Sequence, residues 1–173
     1  MAQAVHDKRR NRVPSGKSPD LNVRTTMSRT PRTLKRVQGI TYWVLNDPRE
    51  IDRYINSNVR CEWVRDNLED GVDSRKDEWL LSLSRRTWRL KILKMEKVRL
   101  DPSTMNKEGF AARLNKRSDE LVRCISRFHT VIWPVVVRGE NLELRDGYCR
   151  FSALRKMKIG KLMTYTGFLK NSS

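Results

Sequence analysis

Residues 133–154 read WPVVVRGENLELRDGYCRFSAL, and they contain the change of hydrophobic period that decides the fold. The β-branched run in residues 133–138 predicts a buried strand, and the alternation in residues 142–145 predicts a second strand after a short turn. Residues 149–157 then carry apolar side chains at helical spacing. Strand, turn, strand and helix in this order predict a domain of the α+β class.

The glycine between the second strand and the helix has the features of an anion-binding turn. Gly147 has no Cβ atom, which permits a tight turn and the close approach of a ligand to the backbone. The first N–H groups of the following helix have no partners within the helix, and they lie at the positive end of its dipole. Arg150 falls in the first turn, where its guanidinium group can bind phosphate oxygens in a two-point geometry. The local pattern leaves open an ordinary turn in which Arg150 is solvated or paired to Asp146.

Flanking segments extend the same domain on both sides. Residues 92–100 predict one or two short strands that end before an Asp-Pro pair, and residues 119–128 predict an amphipathic helix. Residues 162–168 predict a closing strand. We therefore assign residues 91–169 to one α+β domain, with a small mixed sheet and helices.

Residues 39–90 predict a Trp-rich helical subdomain. Asp47 followed by Pro48 is typical of a helix start, with the Asp as N-cap. A second helix is expected near Ser74, whose spacing to Asp77 resembles a capping box. The Trp and Leu side chains that follow recur at helical spacing, which is typical of a buried face. We expect this layer to pack on the domain that follows it.

Residues 1–38 predict a disordered basic tail, because they lack apolar periodicity and are interrupted by proline. The whole chain has a net charge of +17, and residues 1–39 hold 10 basic and 2 acidic residues. Basic segments attract polyanions, so the tail is a candidate for non-specific DNA contact through the release of counterions. The alternative is a solubilising leader without a partner.

Composition argues against two classes of protein. No apolar run approaches the ~20 residues of a membrane-spanning helix, and the first thirty residues lack the apolar stretch of a secretory signal. We therefore expect no membrane partner and a cytoplasmic location. Cys61, Cys124 and Cys149 are widely spaced, and the chain has only two His. This pattern predicts free thiols rather than a structural zinc site.

The stretch quoted above resembles the N-terminal domain of ParB-type proteins, in the ParB/sulfiredoxin superfamily. Residues 133–137 are similar to that family's Pro-[Ile/Val]-x-Val strand. Residues 146–153 are similar to its glycine turn and helix, in which Arg and then Ala follow at three-residue intervals. Residues 98–102 match its first strand and proline, and residues 121–125 resemble the helix before the Pro-Val strand. The resemblance implies a ParB/sulfiredoxin-like fold.

The resemblance also implies that the turn binds a nucleotide, CTP or ATP, together with Mg²⁺. Asp146 is the candidate for a contact to the Mg²⁺ ion, and a regulatory or DNA-associated role is expected. The alternatives are a small-molecule kinase or nucleotide hydrolase with Asp146 and Glu108 as candidate catalytic residues, and an interaction module with a purely structural turn. The implied phosphate-binding residues are Gly147, Tyr148, Cys149, Arg150, Ser152 and Arg113.

Three departures from the family pattern bear on function. Tyr148 stands where sulfiredoxin-like proteins have their catalytic Cys, and Tyr148 and Cys149 stand where serine-kinase relatives have a His pair. No helix-turn-helix segment follows before Ser173, so operator recognition is not expected. Cys149 beside Arg150 at a helix start is a candidate for a lowered thiol pKa, with a small packed side chain as the alternative.

Overall fold

The structure is a computed structural model that describes residues 32–170. Its six strands form a two-stranded hairpin and a four-stranded mixed sheet. The strands are β1 (Thr33–Val37), β2 (Ile40–Val44), β3 (Arg86–Lys94), β4 (Val135–Arg138), β5 (Glu143–Asp146) and β6 (Lys161–Leu169).

Six α-helices surround the mixed sheet. The first two are joined by the π-helical turn Ile55–Val59, so they continue one another along the chain. None of the helices in residues 32–170 is long and apolar enough to cross a membrane. The helices are α1 (Pro48–Tyr54), α2 (Arg60–Glu69), α3 (Glu78–Ser82), α4 (Pro102–Met105), α5 (Phe110–Phe128) and α6 (Tyr148–Lys156).

The mixed sheet has the strand order β3-β6-β4-β5, in which β4 runs parallel to β6 and the other two pairings are antiparallel. Successive side chains of a strand point to opposite faces. Val135 and Val137 accordingly pack with the hairpin, α5 and α6, whereas Val136 packs with α1, α3 and Tyr165. The sheet is therefore buried on both faces, which explains the unbroken β-branched run of β4.

The helical layer of α1–α3 packs on the sheet as expected, through Ile51, Ile55 and Trp79. Asp47 is the N-cap of α1, and its Oδ1 accepts from the Arg49 N–H at 2.8 Å. The sequence predicted the wrong N-cap for the second helix. Residues Ser74–Lys76 form a separate 3-10 turn, and Asp77 caps α3, because its Oδ1 accepts from the backbone of both Trp79 and Leu80.

Two further expectations about organisation need correction. Thr33–Val37, within the segment predicted as a disordered tail, form β1, which pairs with β2 across the Gln38–Gly39 turn. Residues 39–90 thus include the strand β2 and the start of β3 as well as helices. The remainder of the predicted tail, residues 1–31, lies outside the described residues.

The long helix of the α+β domain also begins earlier than predicted. The structure places α5 at Phe110–Phe128, whereas the sequence predicted a helix over residues 119–128. Gly109 precedes the helix with a φ of 65° and no side-chain cap, so the usual Ser or Asp start signal is missing. The helix ends at His129, a C-cap in the left-handed conformation.

Candidate functional site

The predicted anion-binding turn joins β5 to α6. Gly147 has a φ of 90°, a left-handed conformation that L side chains rarely adopt, and it is the N-cap of α6. The first bond of the helix runs from the Phe151 N–H to the Gly147 carbonyl, at 2.9 Å. The N–H groups of Tyr148, Cys149 and Arg150 have no protein acceptor among the described residues. Three backbone donors are therefore available at the positive end of α6.

The guanidinium group of Arg150 lies directly over this glycine. A Cβ atom on Gly147 would come within 2.9 Å of Arg150 Nη2 and within 2.8 Å of Val135 Cγ1. Arg150 Nη2 donates to Asp146 Oδ2 at 2.8 Å, and Nη1 donates to the Trp133 carbonyl at 3.4 Å. The positive charge is thus held at the helix N-terminus by a carboxylate and a carbonyl, in a place that only a glycine leaves open.

Residues of the helical layer complete the surroundings of Arg150. Tyr54, at the end of α1, stacks on Trp133 with 5.0 Å between ring centroids and an interplanar angle of 10°. Burial raises the pKa of Tyr54, while the charge of Arg150 opposes this shift. Burial also raises the pKa of the Glu62 carboxyl, and the negative charge of Asp146 adds to the shift. The charge of Arg150 opposes the shift at Glu62 as it does at Tyr54.

The side chain of Tyr148 is held by groups outside the turn, and that of Cys149 is half-buried. The Tyr148 hydroxyl donates to the Leu144 carbonyl at 3.0 Å, and its ring meets Phe110 edge-on at 5.6 Å. Cys149 is half-buried on α6, which packs against α5. Burial raises the pKa of its thiol, and the nearby charges of Arg117 and Arg150 only oppose this. The candidate lowered thiol pKa is therefore wrong, and at both positions the backbone N–H is the group left for a ligand.

The other predicted site residues are less closely tied to the turn. Ser152 is half-buried in α6, one residue past the first hydrogen bond of the helix. Glu108 is exposed and forms no hydrogen bond or ion pair within residues 32–170. Arg113 lies on α5, with Nη1 3.1 Å from the position of a Cβ on Gly109. The structure thus groups Asp146, Gly147 and Arg150, and it leaves Glu108 and Arg113 outside that group's hydrogen bonds.

Three residues near the turn were missed by the sequence reasoning. Tyr54 and Glu62 come from the helical layer, and Trp133 was assigned only a place in a strand. Their approach depends on how α1 and α2 pack on the sheet, and nothing in the local pattern of the turn indicates it. The carbonyl of Trp133 and the ring of Tyr54 together fix one side of the Arg150 environment.

The turn can bind an anion by its backbone and Arg150, and it has carboxylates nearby for a cation. No cluster of three or more His, Cys, Asp or Glu side chains in the described part of the chain could hold a metal ion by itself. Asp146 and Glu62 offer oxygen atoms, which is the ligand type that Mg²⁺ takes, and Mg²⁺ commonly uses one or two carboxylates with substrate phosphates. The residues therefore fit a magnesium–phosphate group better than a free metal ion.

Fold and turn together define an α+β domain with a strand–glycine–helix turn. No protein-family model matches the sequence, and no curated protein matches it. In fold, the chain is similar to solved structures of a pNOB8-like ParB N-domain. One is described as its C2221 form, with 18% identity and a TM-score of 0.37 over 49% of this chain. Another has 18% identity and a TM-score of 0.35, also over 49% of this chain.

The chain spans 30% and 29% of the lengths of those two chains. Both are structures of the type of domain that the sequence resembles, and this chain is similar to them in fold over about half of its length. At this identity the similarity concerns fold and carries nothing about ligands or activity.

Proposed function

We propose that the chain binds a nucleoside triphosphate, CTP or ATP with Mg²⁺, at the turn of residues 146–152, in a regulatory or DNA-associated role. The observation that carries the proposal is the position of the Arg150 guanidinium over Gly147, beside three backbone N–H groups without acceptors. A guanidinium and several N–H groups that converge at one helix start are the donors that bind phosphate oxygens.

The carboxylates beside Arg150 support a metal-bound nucleotide over a bare anion. Asp146 and Glu62 would repel uncompensated phosphates; burial raises the pKa of the Glu62 carboxyl, and the negative charge of Asp146 adds to this. Mg²⁺ would supply charge neutralisation between phosphate and carboxylate oxygens, with Asp146 as its protein contact. The backbone of Gly147 and the N–H groups that follow would orient the phosphates, and Arg150 would move from Asp146 toward them.

Turnover of the nucleotide is a separate matter from binding. A kinase or hydrolase would need a positioned base, and Glu108 forms no hydrogen bond to the turn. Asp146, the other candidate, accepts from Arg150. We therefore favour binding as the function of the turn.

Calorimetric titration with CTP, ATP and GTP, each with and without Mg²⁺, tests the proposal. We expect saturable binding of CTP or ATP that strengthens with Mg²⁺. A phosphate-release assay on the same samples then measures turnover. Absence of binding at millimolar nucleotide with Mg²⁺ would make the turn a structural feature and favour an interaction module.

A further inference from the structure

A second cluster of positive charge lies around the ring of Trp79, a residue of α3. Trp79 is 2% exposed, and three guanidinium groups surround its ring. Their central carbons lie 5.0 Å from the ring centroid for Arg86, 5.7 Å for Arg138 and 5.0 Å for Arg145. Burying charged groups is costly unless each one is paired. The hydrogen-bond and ion-pair partners of the three arginines therefore determine which of them is available to a ligand.

Two of the three arginines are neutralised by carboxylates. Arg86, only 3% exposed, donates from Nη1 to both carboxylate oxygens of Glu140 at 2.8 and 2.9 Å. Arg145 donates from Nη1 to Glu143 at 2.6 Å, and Asp101 lies 3.6 Å away. These two charges are accounted for within the fold.

Arg138 is the arginine without a partner. Its side chain forms no hydrogen bond or ion pair in the described part of the chain, and its Nε atom is buried without an acceptor. The two nearest carboxylates in the strand pairing are already used. Glu143, directly across from Arg138, accepts from Arg145 and Asn141, and Glu140 accepts from Arg86 and the Leu169 N–H. The Nε1 atom of Trp79 and the Nε atom of Arg145 are further buried donors of the cluster without an acceptor among the described residues.

Arg138 also lines a cavity of 440 Å³ between α3 and the β4–β5 turn. The cavity wall is amphipathic, because the exposed apolar side chains of Leu81 (54%) and Leu169 (46%) stand beside Arg85 and Arg138. The one carboxylate on the wall besides Glu140 is that of Glu78, which is exposed and forms no ion pair within the described residues.

We propose that this cavity is a binding site for a small organic anion, a carboxylate or phosphate ester with an apolar portion, whose oxygens pair with Arg138. Arg85 adds positive charge at the opening, and Leu81 and Leu169 contact the apolar portion. Arg138 and Asp146 belong to different ends of the β4–β5 hairpin, so the site is separate from the turn at Gly147.

Ligand-observed NMR titrations at constant ionic strength test the site with three probes of similar shape. Benzoate and phenyl phosphate distinguish a carboxylate from a phosphate ligand, and benzamide is the uncharged control. We expect at least one of the two anions to bind and benzamide to bind at least tenfold more weakly, since the charged hydrogen bond supplies the difference. Equal binding of benzamide, or no binding of either anion, would overturn the proposal.

Three charge variants sharpen the test. Arg138→Gln should weaken anion binding roughly tenfold or more. Glu78→Gln should strengthen it, because a competing carboxylate is removed. Arg89→Gln, which removes an exposed charge on β3 outside the cavity, should leave it unchanged. Equal loss in Arg138→Gln and Arg89→Gln would reduce the effect to net charge and overturn the assignment. Arg138→Gln should also bind nucleotide normally, so the failure of one site is distinguishable from failure of the other.

Discussion

Arg150 Nη2 lies 2.8 Å from Asp146 Oδ2, and the two side chains are only 18% and 24% exposed. The ion pair joins the last residue of β5 to the first turn of α6 and spans the left-handed Gly147. It holds the guanidinium at the helix N-terminus, beside the backbone N–H groups that begin α6.

Replacing Arg150 should separate ligand binding from folding. A charge-assisted hydrogen bond contributes roughly 1.5–3 kcal/mol, so Arg150→Ala should weaken nucleotide binding about 10- to 150-fold in calorimetry. The variant also leaves Asp146 without its partner, so its urea midpoint should fall, and Asp146→Asn in the same chain should recover part of the loss. Arg155→Ala, exposed at the other end of α6, is the matched control. Unchanged affinity in Arg150→Ala would place the phosphate elsewhere.

A methyl group on Gly147 should be costly for two separable reasons. Left-handed backbone costs an L-residue about 1–2 kcal/mol, and the new Cβ would also meet Val135 Cγ1 at 2.8 Å. Gly39 has a similar φ of 83° but nothing within 4 Å of an added Cβ. Gly147→Ala should therefore lose more unfolding free energy than Gly39→Ala, by about 1–3 kcal/mol for the steric overlap. Equal losses of unfolding free energy in the two variants, measured by urea denaturation, would show that the residues around Gly147 move aside at little cost.

Asp77 should make the helical layer sensitive to acid. Burial raises the pKa of its carboxyl, but hydrogen bonds from Asn67, Leu80, Trp63 and Trp79 outweigh this and hold the pKa below its usual value. A lowered folded-state pKa contributes stability above the unfolded pKa of about 3.9, and that stability is lost as pH falls through the folded value.

Asp77→Ala should therefore lower the unfolding free energy by about 1–2 kcal/mol near neutral pH, the usual cost of a lost N-cap. The difference in unfolding free energy between the variant and the wild type should become smaller as pH falls below about 4. Denaturant titrations at several pH values measure this, with Asp73→Ala, the cap of the exposed 3-10 turn, as control. If the difference in unfolding free energy stays constant with pH, the carboxylate charge is not what stabilises α3.

The basic segment before the hairpin should govern the salt dependence of DNA binding. Residues 1–31 carry seven Lys or Arg and two Asp, and β1 begins after them. Their removal should leave the thermal midpoint unchanged and flatten the plot of log affinity against log salt for duplex DNA, by ~0.9 per lost phosphate contact. A variant with the same 31 residues in scrambled order should keep the slope. If the truncated chain keeps the full slope, the DNA contacts lie elsewhere.

The thiol of Cys149 should react slowly with alkylating reagents. Because burial raises its pKa, little thiolate is present near neutral pH, whereas Cys61 is exposed on α2. Alkylation by iodoacetamide, followed by mass spectrometry, should label Cys61 before Cys149, and the two rates should converge in urea. We expect no ATP-dependent repair of a peroxiredoxin sulfinic acid. A Cys149-dependent repair rate would contradict both the raised pKa and the displaced position of the cysteine.

The sequence predicted the mixed sheet and the turn because their signals are local. Val135, Val136 and Val137 are buried on alternate faces, and their β-branched run marks such a strand directly. Gly147 is placed by its neighbours in the chain. The site gained Tyr54 and Glu62 only through the packing of α1 and α2, which no short motif encodes.

The two elements that the sequence misplaced, β1 and α5, have weak local sequence signals. Strand β1 has four exposed residues of five, so it lacks the apolar alternation of a half-buried strand, and its Gln38–Gly39 turn differs from the usual Asn-Gly. Helix α5 begins after a left-handed glycine rather than a capping side chain. Both elements pack on the core shared by the hairpin, α5 and α6, through Val37 of β1 and Ile125 of α5, and that core is a property of the assembled fold.

The start of the described chain lies at the turn rather than away from it. The guanidinium of Arg32 is 5.3 Å from the ring centroid of Trp133, whose carbonyl accepts from Arg150. Because the basic segment joins the described chain at Arg32, we expect any polyanion that it binds to be held at high local concentration near the turn. Salt would weaken the contact between DNA and the segment, and nucleotide would occupy the turn beside it. DNA affinity measured with nucleotide present should therefore differ from DNA affinity measured without it.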